Sequence, residues 1–64
     1  MVKVNGQYID CAGKSIAEFL AQTNYNPTRI AVERNEQIVP KSEYADAIIK
    51  DGDVIEVVSF VGGG

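Results

Sequence analysis

Hydrophobic positions at the start of the chain alternate in two short segments that flank the dipeptide Asn5-Gly6. Asn-Gly readily takes positive φ at both centres of a type I′ turn, so the segments predict a hairpin with a two-residue loop. This loop pairs Val4 with Gln7, Lys3 with Tyr8 and Val2 with Ile9. The alternation then places Val2, Val4 and Ile9 on the face of the hairpin that is directed to the core.

The spacing of apolar residues becomes helical after Gly13. The positions that follow this spacing are Ile16, Phe19, Leu20 and Thr23. Ser15 and Glu18, three residues apart, have the form of a capping box, so the helix is predicted to begin at Ser15. It is predicted to end near Asn24, which tolerates a left-handed cap, because Pro27 cannot continue the helical hydrogen bonds. Its single apolar side predicts a helix that lies across a sheet.

The middle of the chain predicts two further strands. Ile30 and Val32 alternate with less apolar residues in RIAVERN, as in a half-buried strand. A turn at Asn35-Glu36 leads to QIVP, where Pro40 restricts that piece to an edge or to a strand end.

The last predicted strand runs from Val54 to Val61 in the sequence VIEVVSFV. One face carries Ile55, Val57 and Ser59 towards the core, and the other carries Val54, Glu56, Val58 and Phe60. Both faces are largely apolar, as in an interior strand. The preceding KSEYADAIIKDGD predicts one helical turn, capped by Ser42 and carrying Tyr44, and then a tight turn at KDGD.

Together these elements predict an α+β fold of the β-grasp, or ubiquitin-like, type. If the last strand lies beside the first, the chain forms a mixed sheet of four to five strands with one helix across one face. Residues 1–61 are then a single domain, and residues 62–64 are expected to be a flexible glycine tail.

Composition excludes several classes of partner. The 64-residue chain has a net charge of −3, and no two of its six basic residues are adjacent, so it lacks the basic patch of a nucleic-acid-binding protein. Seven of its nine acidic residues lie in the second half, which suits either a basic partner surface or a solvated face. No apolar run approaches the roughly 20 residues that cross a bilayer, and the N-terminus lacks a signal-peptide layout. We expect a cytoplasmic protein that binds neither membranes nor nucleic acid.

Side-chain chemistry for catalysis is missing. The chain has no histidine and one cysteine, so Cys-His, Ser-His-Asp and zinc arrangements cannot be built. Cys11, between Asp10 and Lys14, is interpreted as a small apolar residue at a strand end and not as a reactive thiol. Asp51 and Asp53 are expected to shape their turn. We therefore expect no enzyme activity, no metal and no bound cofactor.

The functional group that remains is the α-carboxylate of Gly64. A carboxylate must be activated before acyl chemistry, typically by attack on the α-phosphate of ATP to form an acyl-adenylate. Glycine leaves the acyl carbon unhindered. Gly62 and Gly63 would let an extended chain thread a narrow channel in another protein's active site.

Such a tail needs a docking surface beside it. Ordering each glycine costs about 1–2 kcal/mol, and glycines bury no side chains in return. Val58, Phe60 and Val61 are the candidate docking residues, and burial of Phe60 alone would contribute roughly 1.5–3 kcal/mol.

Three stretches resemble the ThiS family, the small sulfur-carrier proteins of thiamine biosynthesis. They are Asn5-Gly6 near the start, RIAVERNEQIVPKSEY in the middle and KDGDVIEVVSFVGGG at the end, so the resemblance spans the whole chain. The glycine ending combined with the VP.SE segment is the specific part. Glu36 departs from the family, which often has glycine after the turn asparagine, and this bears only on the type of turn.

The resemblance implies a cycle. An ATP-dependent, ThiF-like enzyme related to ubiquitin-activating enzymes would adenylate Gly64, and a sulfur donor such as a cysteine desulfurase would allow conversion to a thiocarboxylate. A ThiG-like thiazole synthase would receive the sulfur for the thiazole ring. ATP would be used by the partner enzyme and not bound by this chain.

Three other interpretations stay open. The small subunit of molybdopterin synthase shares the fold and a Gly-Gly end, although the length and the FVGGG ending favour the thiamine carrier. A ubiquitin-like modifier would use the same tail to form an isopeptide bond with lysine. A regulatory or interaction module would have a dispensable tail, and the fallback is a small binding or structural protein with no partner enzymes.

Overall fold

The computed structural model describes residues 1–60. Its strands are β1 (Val2–Val4), β2 (Gln7–Ile9), β3 (Ile30–Arg34), β4 (Gln37–Val39) and β5 (Val54–Ser59). The helix α1 (Ile16–Ala21) lies between β2 and β3, and 3-10 turns occupy Pro27–Arg29 and Lys41–Glu43. Within residues 1–60, no helix has the length and apolar character needed to cross a membrane.

The five strands form one sheet in the order β2, β1, β5, β3, β4. The central strand β5 is parallel to β1 and antiparallel to β3. This confirms the mixed β-grasp sheet and the interior position of the last strand. β4 is an edge strand that ends just before Pro40, as the proline predicted.

The core lies between α1 and one face of the sheet, which we call the inner face. The helix contributes Ile16, Phe19 and Leu20. The sheet contributes Val2, Val4, Ile30, Val32, Val39, Ile55 and Val57, and the connecting segments contribute Cys11, Tyr44 and Ile49. The opposite face, which we call the outer face, carries the strand side chains that alternate with these, among them Lys3, Tyr8, Glu33, Glu56 and Val58.

The first hairpin has the predicted register. Val2 pairs with Ile9, Lys3 with Tyr8 and Val4 with Gln7. Val2 and Val4 are buried and Ile9 is half-buried, whereas Lys3 and Tyr8 are exposed on the other face. The two-residue loop therefore fixes which side chains enter the core.

The capping box at the start of α1 is confirmed. The Glu18 N–H donates to Ser15 Oγ at 3.0 Å, and the Ser15 N–H donates to Glu18 Oε1 at 2.8 Å. The second hydrogen bond lowers the pKa of the Glu18 carboxyl below its ordinary value. Its stabilising effect is therefore present at neutral pH and is lost as the pH falls through this lowered pKa.

The end of the helix was predicted wrongly. α1 ends at Ala21, and the cap residue is Gln22 with φ −92°, so Asn24 does not supply a left-handed cap. The backbone N–H and the hydroxyl of Thr23 both donate to the Leu20 carbonyl, at 3.0 and 2.7 Å. Hydrogen bonds that span three residues tighten the last turn. They satisfy its carbonyls at an earlier residue than the predicted cap would.

The second half of the chain differs from prediction at the turn Lys41–Glu43 and at the end of β5. Pro40, not Ser42, is at the N-cap of the turn Lys41–Glu43, and no side chain caps this turn. Tyr44 is buried directly after it. Ser59 is exposed because it is the last residue of β5, at the rim of the sheet. The strand thus ends before Phe60, and the predicted end at Val61 lies outside the described residues.

Asn5 extends the hydrogen bonding of β5 beyond the end of β1. Its N–H donates to the Ile55 carbonyl at 2.9 Å. Its Oδ1 accepts from the Val57 N–H at 2.8 Å, and its Nδ2 donates to the Val57 carbonyl at 3.4 Å. The side-chain amide of Asn5 therefore takes the place of one more residue of β1.

Asn35 likewise extends the hydrogen bonding of β5 on its other side, beyond the end of β3. Its N–H donates to the Val54 carbonyl at 2.8 Å, and its Oδ1 accepts from the Val54 N–H at 2.9 Å. Its Nδ2 also donates to Asp53 Oδ1 at 3.2 Å. Asn5 and Asn35 both have positive φ, 48° and 52°, a conformation that asparagine tolerates.

The turn between β3 and β4 also has positive φ at its second centre, where Glu36 has φ 69°. The turn therefore follows the type I′ pattern although glutamate stands where glycine is favoured. A residue with a Cβ is strained in this conformation.

Replacing Glu36 with glycine should stabilise the protein by about 0.5–1 kcal/mol, because the relief of left-handed strain exceeds the added entropy of the unfolded chain. The free energy of unfolding, measured in urea, checks this. Gln37→Gly is the matched control, since Gln37 is exposed and lies in regular strand conformation. It should destabilise by a similar amount, and equal effects of the two glycines would contradict the strain argument.

Replacing Asn5 with glycine should destabilise the protein by about 1–2 kcal/mol. Glycine accepts the positive φ but leaves the Val57 N–H and carbonyl without the side-chain amide. Urea unfolding provides the measurement. Tyr25→Phe is the control, because it removes only the hydroxyl that accepts from Asn5 Nδ2 at 3.1 Å, and it should cost less. Equal stability of the glycine variant and the parent would contradict the role given to the amide.

Candidate functional site

The outer face of the sheet is the surface that the core leaves free. Side chains alternate along β5, so Val54, Glu56 and Val58 point away from α1 while Ile55 and Val57 are buried. Val58 is 47 % exposed and lies opposite Ala31, whose small side chain leaves it uncovered. This face therefore presents apolar groups to solvent from the central strand.

Phe60 continues this surface at the end of β5. Its N–H donates to the Arg29 carbonyl at 2.7 Å, which extends the pairing with the β3 side by one residue. Its side chain is 54 % exposed. The structure thus leaves both predicted docking residues that it describes, Val58 and Phe60, available for contact. That they dock a partner stays a prediction.

The rest of the predicted site lies outside the described residues. This applies to Val61, to the proposed threading residues Gly62 and Gly63, and to Gly64 with its carboxylate. The last described residue, Phe60, is held to the β3 side of the sheet by its hydrogen bond to the Arg29 carbonyl.

Two carboxylates meet on the outer face, and sequence analysis missed this. Glu33 of β3 is directly opposite Glu56 of β5 in the antiparallel register. Ile38 of β4 pairs with Glu33 on its other side and is 70 % exposed. The alternation of each strand places each glutamate on this face, but only the register between β3 and β5 brings them together.

Cys11 lies in the core, 2 % exposed. Burial is the main cause that raises the pKa of its thiol, and the neighbouring Asp10 adds to this while Lys14 opposes it. A raised pKa disfavours the thiolate, which is the nucleophilic form. The geometry agrees with the interpretation of Cys11 as a packing residue.

Asp53 shapes the backbone of the KDGD turn, as predicted. The Lys50 N–H donates to Asp53 Oδ2 at 2.9 Å, and the Asp53 N–H donates to the Lys50 carbonyl at 3.0 Å. Asp51 instead contacts the N-terminal ammonium of Met1, which lowers the pKa of its carboxyl. Across residues 1–60, no three histidine, cysteine or acidic side chains cluster as metal ligands would.

The pattern of the ThiS family matches residues 2–64, almost the whole chain. The chain belongs to the ThiS family. A relative named sulfur carrier protein ThiS from Escherichia coli is 36 % identical over 61 residues, which cover 94 % of this chain and 92 % of the relative. The family resemblance of the sequence is thereby confirmed.

A solved structure supports the fold of this ThiS-family chain. The crystal structure of a thiamine biosynthesis protein (ThiS) from Geobacter metallireducens superimposes with a TM-score of 0.78 at 30 % identity. The match covers 98 % of this chain and 97 % of that one. The ubiquitin-like β-grasp fold is therefore shared.

A different kind of relative matches as part of a longer protein. A thiazole synthase from Paramagnetospirillum magneticum is 43 % identical over 53 residues, which cover 83 % of this chain. The matching segment spans only 16 % of the length of that protein. A ThiS-like sequence thus occurs within the chain of a thiazole synthase.

Proposed function

We propose that this chain is a sulfur carrier of thiamine biosynthesis. The observation that carries the proposal is its match, along nearly its full length, to the ThiS family and to a relative named for that function. The absence of histidine supports a carrier that other enzymes act on, because the chain cannot build a Ser-His-Asp or Cys-His site.

The chemical step that we propose takes place at the Gly64 carboxylate. A carboxylate oxygen attacks the α-phosphorus of ATP on an activating enzyme, pyrophosphate leaves, and an acyl-adenylate forms. A sulfur nucleophile derived from a donor such as a cysteine desulfurase then attacks the acyl carbon, and AMP leaves. When the sulfur arrives as a persulfide, a thiol must reduce the S–S bond to release the thiocarboxylate.

The partner that receives the sulfur is proposed to be a thiazole synthase. Support comes from the thiazole synthase relative, which contains a segment similar to this chain and so joins the two sequences in one protein. A thiocarboxylate sulfur is softer and more nucleophilic than a carboxylate oxygen, which suits attack on a carbonyl or imine carbon of the thiazole precursor.

Incubation with ATP, a ThiF-like activating enzyme and a sulfur donor should replace one terminal oxygen of the chain with sulfur. Intact mass spectrometry detects this change, and the mass before incubation establishes that Gly64 carries the free carboxylate. A chain that keeps its mass, under conditions where the Escherichia coli relative is converted, would overturn the proposal. Covalent attachment of the chain to lysines of other proteins would instead favour a ubiquitin-like modifier.

Two variants sharpen this measurement. One alanine appended after Gly64 moves the carboxylate away from the glycine and should abolish conversion. Cys11→Ala should be converted like the parent, since the Cys11 thiol is buried and has a raised pKa. Loss of conversion in a folded Cys11→Ala protein would show that this thiol takes part.

Phe60→Glu should raise the KM for the carrier in the activating reaction by about tenfold or more, since burial of phenylalanine contributes roughly 1.5–3 kcal/mol. The kcat and the thermal midpoint should change little, because Phe60 is exposed in the free chain. Ile48→Glu is the control: Ile48 is 45 % exposed, lies outside the five strands and would gain the same charge. Equal KM values for the two variants would rule out docking through Phe60.

A further inference from the structure

The pairing of Glu33 with Glu56 is unfavourable in the free chain. The two residues are directly opposite on adjacent strands, and both side chains are directed to the outer face. Like charges in this arrangement destabilise a sheet. The ion pairs within residues 1–60 involve Asp51 and Asp53, so neither of these two glutamates has a cationic partner there.

The two cationic residues that belong to the five strands, Lys3 and Arg34, contact other groups. Lys3 projects from the outer face but lies over the ring of Tyr8, 5.8 Å from its centroid. Arg34 belongs to the inner side, where it donates to the Ile48 carbonyl at 2.9 Å and lies 3.9 Å from Asp53. The negative charges of Glu33 and Glu56 are therefore stabilised only by solvent or by a partner.

Exposed apolar side chains flank the two carboxylates. Val54 and Val58 lie two residues to either side of Glu56 along β5, 46 % and 47 % exposed. Ile38 lies beside Glu33 on β4. A protein that covers these apolar groups must also remove the carboxylates from water, which is costly unless a positive charge pairs with them.

We propose that the outer face docks on a partner protein that places an arginine guanidinium between apolar side chains, so that it bridges Glu33 and Glu56. The planar guanidinium offers donors in two directions and therefore suits two adjacent carboxylates better than the compact ammonium of lysine. A second copy of this chain fits poorly, because it would bring two further carboxylates to the same place. The proposal rests on the proposed function, in which the partner is the activating enzyme.

The test compares the isosteric variants Glu33→Gln and Glu56→Gln with the parent. In the activating reaction, followed by intact mass, each should raise the KM for the carrier about tenfold and leave kcat unchanged. In the free protein, each should raise the thermal midpoint by about 2–5 °C, because the repulsion is removed. Increasing salt should raise the KM of the parent more steeply than that of the double variant.

Glu43→Gln is the matched control, since it removes the same charge from an exposed residue in the turn Lys41–Glu43, outside the sheet. It should leave the KM within about twofold of the parent, as an isolated surface charge does. Parent-like KM values for both outer-face variants overturn the proposal, as does a drop in their thermal midpoints. A parent chain that is not converted at all overturns the proposed function and this inference with it, so the two failures are distinct.

Discussion

The backbone of β5 is the constraint around which the protein is organised. A central strand must have its N–H and carbonyl groups satisfied on both sides, yet β1 has three residues and β5 has six. The Asn5 amide binds Val57 where β1 has ended, and Asn35 binds Val54 where β3 has ended. Short neighbouring strands can therefore support a longer central one.

This arrangement explains why both turns carry asparagine at their first centre. Glycine would accept the same positive φ, but it has no amide to offer to β5. The second centre of each turn needs only a positive φ. Glycine adopts this conformation easily at Gly6, whereas glutamate is strained in it at Glu36. The residue choices in the two turns thus follow two separate demands, one conformational and one on hydrogen bonding.

Several features that depend on neighbouring residues could be predicted from the sequence, although the end of α1 and the cap of the turn Lys41–Glu43 were predicted wrongly. The interior position of the last strand could also be predicted, but the register between distant strands could not. The two-residue loop determined the register of the first hairpin, and the capping box determined the start of α1. No tight turn joins β3 to β5, so their register, and with it the meeting of Glu33 and Glu56, was beyond sequence reasoning. The tail residues from Val61 to Gly64 remain predictions for a different reason, because they lie outside the described residues.

In the proposed carrier, the folded part of the chain and the glycine segment have different roles. A glycine segment has no side chains with which a partner could recognise it, so affinity and orientation must come from the folded part of the chain. β5 belongs to this folded part and presents Val58 on the outer face. Phe60, directly after β5, is still hydrogen-bonded to the Arg29 carbonyl. A partner that binds the outer face therefore also has Phe60 at a defined position relative to the sheet. In the proposed function the chemistry is left to a partner enzyme, which suits a sequence that has no histidine with which to build a Ser-His-Asp or Cys-His site.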